Sequence, residues 1–209
     1  MMMRDVRICF VGDSLVAGLG DRRCLGWAGR LAVRAIGAGL PVTYYNLGVR
    51  RQTSTEIARR WFSECESRFP AGVDARVVLS FGVNDTLLED GRTRVASEDS
   101  AANLSAILSG ARERGWPTLV VAPPPVNDDE HNARTEKLAV RFAEVCEAEE
   151  VPYVRVHRPL RDNAIWMSEV AAGDGYHPSA AGYDELAALI ASHWLQWLTE
   201  PGSGLPDVR

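Results

Sequence analysis

Short apolar, β-branched runs alternate with longer amphipathic stretches along almost the whole chain, and this alternation leaves few architectures open. Residues 7–13, 42–47, 76–81, 118–122 and 152–156 read as strands. Residues 25–36, 54–69, 98–114, 133–149 and 184–198 carry apolar side chains at helical spacing, as Leu25, Ala28, Leu31, Ala32 and Ala35 do in the first of them. Glu56, three residues after Thr53, offers a capping box for the second helix. The run at 76–81 is nearly all apolar, as expected of a strand buried on both faces, whereas 152–156 is less so and fits nearer an edge. Strands separated by helices cannot pair as hairpins. They imply an α/β fold with one parallel sheet covered by helices on both faces and joined by right-handed crossovers.

The chain has 209 residues, which suits a single domain over 1–200 followed by a polar, flexible tail at 201–209. With 46% hydrophobic and 24% charged residues it is neither disordered nor low-complexity. A formal net charge of −5 argues against a nucleic-acid partner. Of the 23 basic residues only Lys137 is a lysine. That bias reads as compositional unless arginines are found at a site. Cys9, Cys24, Cys65 and Cys146 form no C-x-x-C pair, and no metal site is expected. Cys9, Cys65 and Cys146 fall in strand or helix patterns and should be buried thiols. Cys24 lies in a loop-like stretch. No run of 18 apolar residues exists, so no integral membrane association is expected. The opening apolar run at 6–11 is too short for a secretory leader, and a cytoplasmic location is the expectation.

In open parallel sheets, ligands bind beyond the carboxyl ends of the strands. The first strand delivers Gly12-Asp13-Ser14-Leu15, a serine at a strand-to-helix turn. It can serve as a nucleophile if a base reaches it, or simply cap the next helix. It does not fit a phosphate loop, because no Gly-Lys-Ser/Thr follows. Four histidines compete to be the base. His193 lies within the last helix and His131 among Asp128, Asp129 and Glu130, in a solvated loop. His157 ends the fifth strand on the active edge. His177 follows Asp174 by three residues, a spacing at which the carboxylate can accept the imidazole Nδ1–H. Pro178 holds His177 in an extended backbone, although the segment can equally read as the start of a helix. The second strand ends in Gly48 and the third leads to Asn84. A close-approaching backbone N–H and a neutral amide donor suit an oxyanion, and both residues are also ordinary turn formers.

Taken together, these blocks resemble the GDSL-type, or SGNH, hydrolase superfamily, and the resemblance runs from Phe10-Val11-Gly12-Asp13-Ser14 to Asp174-Gly175-Tyr176-His177-Pro178. It implies a flavodoxin-like three-layer α/β/α sandwich with five parallel strands in the order 2-1-3-4-5. It implies hydrolysis of carboxylic esters, sometimes thioesters, with no cofactor and a small-molecule ester as partner. Ser14 would be the nucleophile, His177 the base, Asp174 its orienting acid, and the Ser14 and Gly48 N–H groups with the Asn84 side chain the oxyanion hole. An acyltransferase would use the same acyl-enzyme, and a flavodoxin-like binding domain the same fold without covalent chemistry. One departure stands out: the family's second block often continues with another glycine, and here Arg51 occupies that position. Arg50 and Arg51 therefore flank the site. They can bind an anionic part of the substrate, or order the loop through Asp13, Asp21 or Asp85. Apolar candidates for the acyl pocket are Leu15, Leu19, Trp27, Leu87, Leu88, Pro124, Pro125 and Val126. Trp166 and Met167, just before the His177 segment, are placed to cover it. Trp194 and Trp197 can pack internally or across a homodimer.

Overall fold

The computed structural model describes residues 4–200, so the expected tail at 201–209 lies outside the described residues. Five parallel strands form its main sheet: β1 (Val6–Gly12), β2 (Val42–Gly48), β3 (Asp74–Ser80), β6 (Thr118–Val121) and β7 (Tyr153–Val154). Their spatial order is β2-β1-β3-β6-β7. With the two strands of a separate hairpin set aside, this is the 2-1-3-4-5 order expected. β3 and β6 are buried at every position, as central strands covered on both faces must be.

Alternate residues of β1 feed two cores. Ile8 and Phe10 point to one face, where they pack with Trp27, Leu31, Trp166, Tyr183, Ile190 and Trp194. Those residues come from α2 (Gly26–Gly37), α7 (Ala164–Ala172) and α8 (Ala180–Thr199). Cys9 and Val11 point to the other face, against Ile57, Trp61, Leu104, Ile107, Leu138 and Phe142. Those belong to α3 (Ser54–Glu66), α4 (Ser97–Glu113) and α5 (Asp129–Ala148). The period of two along a strand thus produces the three-layer sandwich directly. Trp194 and Trp197 are buried within the first core. Cys9, Cys65 and Cys146 are buried free thiols and Cys24 is exposed.

Several elements depart from the sequence reading. α1 (Ser14–Ala17) is a single turn, too short to show a hydrophobic period. An antiparallel pair, β4 (Leu88–Glu89) and β5 (Arg92–Thr93), turns at Asp90-Gly91, both at positive φ. Asp-Gly is a hairpin signal, but strands of two residues have no alternation to reveal them. α6 (His157–Arg161) begins where a strand end was expected, so the fifth strand is shorter than 152–156. α7 lacks a polar stripe that would have marked it as an amphipathic helix. α5 and α8 also start four residues earlier than expected. The Asp128 side chain caps α5 by accepting from the His131 N–H at 2.8 Å.

Candidate active site

The carboxyl ends of β1 and β3 meet the segment before α8 at one edge of the sheet. Asp13 follows β1 and caps α1, its Oδ1 accepting from the Leu15 N–H at 2.9 Å. Ser14 is thereby fixed as the first residue of the turn, with its hydroxyl above the sheet. His177 arrives from the far end of the sequence. Its Nε2 lies 2.7 Å from Ser14 Oγ and its Nδ1 lies 2.7 Å from Asp174 Oδ2. The other Asp174 oxygen accepts the backbone N–H groups of Tyr176 and His177, each at 2.9 Å. One carboxylate therefore shapes the loop and aims the ring. Burial works against the Asp174 charge, but the His177 and backbone hydrogen bonds prevail and hold its pKa below the usual value. An ionised Asp174 keeps the proton on Nδ1 and leaves Nε2 free to accept one from Ser14.

Asn84 stands between this turn and the loop after β2. Its Nδ2 donates to Gln52 O at 3.1 Å and to Asp13 Oδ2 at 3.3 Å. Gly48 does not present its N–H to the same space. That N–H donates to Asn46 Oδ1 at 3.0 Å. The next residue along, Val49, bonds back to Gly12 O. Alternate amides of a strand point to opposite sides, so the Gly48 N–H faces away from β1. Glycine is required there for packing: a Cβ would run into Ala17 N and lie 2.7 Å from Asp13 O. The expected donor role of Gly48 is corrected accordingly. Its place is a close approach of backbones.

Arg51 has φ 66°, in the left-handed region that glycine adopts freely. The Arg51 carbonyl accepts from Arg94 Nη1 at 2.9 Å, which secures the turn at 49–52. Among the described residues neither Arg50 nor Arg51 reaches an ion pair. The acids that might have tied them down are engaged elsewhere. Asp21 binds Arg30, and Asp85 accepts from the Ser54 N–H and Ser100 Oγ.

Trp166 does not cover the site. It is fully buried in the core and donates from Nε1 to Pro125 O at 3.0 Å, and Met167 packs partly buried against the same core. Trp27 is likewise a core residue. His157 is buried, and burial pushes its pKa down to about 4, so its ring is neutral and shut away from the strand ends. His131, expected in solvent, is buried beside Val83 O and Thr86 Oγ1. His193 is exposed on α8. No group of three His, Cys, Asp or Glu among the described residues is arranged to hold a metal ion. An open hollow of about 650 Å³ adjoins His177 and Asp174, and Arg22 and Arg50 are among its lining residues. Arg22 had no motif or spacing to single it out. Only the folded chain brings it to His177.

Asp13 is completely buried, and burial, reinforced by the charge of Asp85, pushes its pKa up to about 7 against the pull of its hydrogen bonds to Leu15 and Asn84. The group is ionised in the unfolded chain above about pH 4 but protonated in the folded one until about 7. Folding therefore takes up a proton in that window, and the Asp13 contribution to stability falls as pH rises through it. Urea unfolding of Asp13→Asn and the unaltered protein from pH 4.5 to 7.5 is expected to show the variant gaining relative stability across the window. A difference independent of pH would contradict this.

Residues 10–185 match the family described as the GDSL-like lipase/acylhydrolase family. No curated protein matches the sequence. Among solved structures, a lipase/acylhydrolase from Enterococcus faecalis is similar at 22% identity and a TM-score of 0.71, over 91% of this chain and 96% of that one. A psychrotrophic esterase, EstA, from Pseudoalteromonas sp. is similar at 18% identity and 0.74, over 94% and 100%. Axe2, an acetylxylan esterase from Geobacillus stearothermophilus, is similar at 15% identity and 0.70, over 99% and 100%.

Proposed function

Since the chain belongs to the GDSL-like lipase/acylhydrolase family and is a hydrolase acting on esters, we propose that it works as a serine esterase through an acyl-enzyme on Ser14. The observation that carries this reading is the continuous relay from Ser14 Oγ through His177 to Asp174, with 2.7 Å at each link. Both distances are those of strong hydrogen bonds, and the nucleophile, base and orienting acid come from opposite ends of the sequence.

In the proposed cycle Ser14 Oγ attacks the acyl carbonyl while His177 Nε2 takes its proton. The carbonyl oxygen becomes an oxyanion held by the Ser14 N–H and the Asn84 amide. The Asn84 bond to Asp13, the longer of its two, is the one released for this purpose. A third donor is assigned to the 49–52 turn rather than to Gly48, because the Arg50 and Arg51 N–H groups have no hydrogen-bond partner among the described residues. Each such donor is worth about 10²–10³ in turnover. When the intermediate collapses, the bond to the leaving oxygen breaks and that oxygen takes the proton from His177. Water then attacks the acyl-enzyme with His177 again as base, returning Ser14 and releasing the acid.

The test is a panel of small carboxylic esters and thioesters of graded acyl length, with an alcohol acceptor added in parallel. Hydrolysis of at least the short esters is expected. A folded protein inactive on the whole panel would refute the reading, and acyl transfer outrunning hydrolysis would move it to a transferase.

A further inference from the structure

The hollow beside His177 holds both carboxylates and guanidinium groups, and they are used differently. Its two carboxylates are committed: Asp174 to His177 and two backbone N–H groups, Glu169 to the Gly182 N–H at 2.6 Å. Its two guanidinium groups, Arg22 and Arg50, are exposed and have no hydrogen bond or ion pair among the described residues. Elsewhere arginines close to the sheet are well occupied, as Arg30 is by Asp21 and Asp184 and Arg60 is by Gln52, Glu64 and Gly12 O. Two guanidinium forks without partners among the described residues at one open hollow suit a carboxylate or phosphate from outside the chain.

The position of the hollow says which half of an ester it faces. His177 and Asp174 line it and Ser14 does not. The acyl carbon must bond to Ser14 Oγ, whereas the leaving oxygen must end within reach of His177 Nε2 to be protonated. The hollow is thus on the alcohol side. We propose that the hollow binds the alcohol half of the substrate, and that this alcohol carries a carboxylate or phosphate held between Arg22 and Arg50. The inference rests on the serine-esterase reading. On collapse of the intermediate the C–O bond to this alcohol breaks, its oxygen takes the His177 proton, and the acyl group stays on Ser14. The anion lies beyond the reacting atoms, so it contributes by holding the ester in register.

The experiment compares three acetate esters of similar shape: 4-acetoxybenzamide, 4-acetoxybenzoate and 4-acetoxyphenyl phosphate. The readout is the ratio of kcat/KM for each anionic ester to that for the neutral one, so that differences in intrinsic reactivity cancel between variants. In the double variant Arg22→Met, Arg50→Met both ratios are expected to fall about tenfold, the scale of a charge-assisted hydrogen bond at a partly solvated site. Arg34→Met, on the exposed side of α2, keeps the ratios of the unaltered protein. The larger of the two falls identifies carboxylate or phosphate as the preferred group. Moving the charge to the acyl side, with phenyl hemisuccinate against phenyl acetate, should give a ratio that the double variant does not change. Unchanged ratios for the anionic alcohols, or a fall confined to the hemisuccinate, would overturn the inference while leaving the esterase intact. Failure of the unaltered protein to hydrolyse any of these esters would instead remove the reading beneath it.

Discussion

Ser14→Ala is expected to lower kcat for a short ester by about 10⁶-fold, the scale of nucleophile loss in a serine hydrolase. The expectation follows from how little else Ser14 Oγ does. Its one side-chain hydrogen bond among the described residues is to His177 Nε2, and the turn around it is held by the Asp13 side chain and the backbone of α1. Removing the hydroxyl therefore costs about 1 kcal/mol of stability at most, a shift of roughly 2–4 °C in Tm for a chain of this size. A variant that remains folded and turns over esters within tenfold of the parent would eliminate Ser14 as the nucleophile. A large loss accompanied by unfolding would say nothing about chemistry, so Tm is measured alongside.

Asp174→Asn is expected to cost about 10⁴-fold in kcat with the fold retained. The substitution keeps an oxygen that can still accept the Tyr176 and His177 backbone N–H groups, so the loop survives. What changes is the partner of His177 Nδ1. An amide N–H placed there must donate, which forces the ring proton onto Nε2, the atom that has to receive the Ser14 proton. Loss of the carboxylate also removes the charge that stabilises the imidazolium as it forms. A fall of less than tenfold would show that Asp174 only shapes the loop. Asp174→Ala removes both functions, and a Tm drop larger than that of Asp174→Asn separates the loop contribution from the catalytic one.

The parts of this molecule that could be read from sequence are those in which the side-chain pattern and the backbone say the same thing. β1 alternates between two apolar cores and β3 is apolar throughout, so strand, burial and sheet class all follow from one pattern. The Asp174 and His177 pair was readable because its spacing is local: three residues and a proline fix the geometry. The Gly48 expectation went astray for a reason that spacing cannot show. Whether a strand-end N–H faces the nucleophile depends on which side of the strand it projects from, and Asn46 claims it on the outer side. Trp166 departs from expectation for a related reason. Chain proximity to His177 said nothing about direction, and the indole turns inward to Pro125 O. His131 and His157 sat in polar or strand-end contexts, yet helices starting at Asp129 and His157 carry both into the interior. The short elements, α1 and the β4–β5 hairpin, have too few residues to display any period. Arg22 and Arg50 line one hollow from separate loops, a juxtaposition that their positions in the sequence do not show.

If Ser14 is an activated nucleophile, a fluorophosphonate probe should modify it covalently. The serine oxygen displaces fluoride and forms a stable P–O bond, which peptide mass mapping of the intact protein can locate. A single adduct is expected on the peptide containing Ser14, absent in Ser14→Ala and formed far more slowly in His177→Ala. An adduct on another serine or on the exposed thiol of Cys24, or ester hydrolysis by a protein that takes up no label, would contradict it.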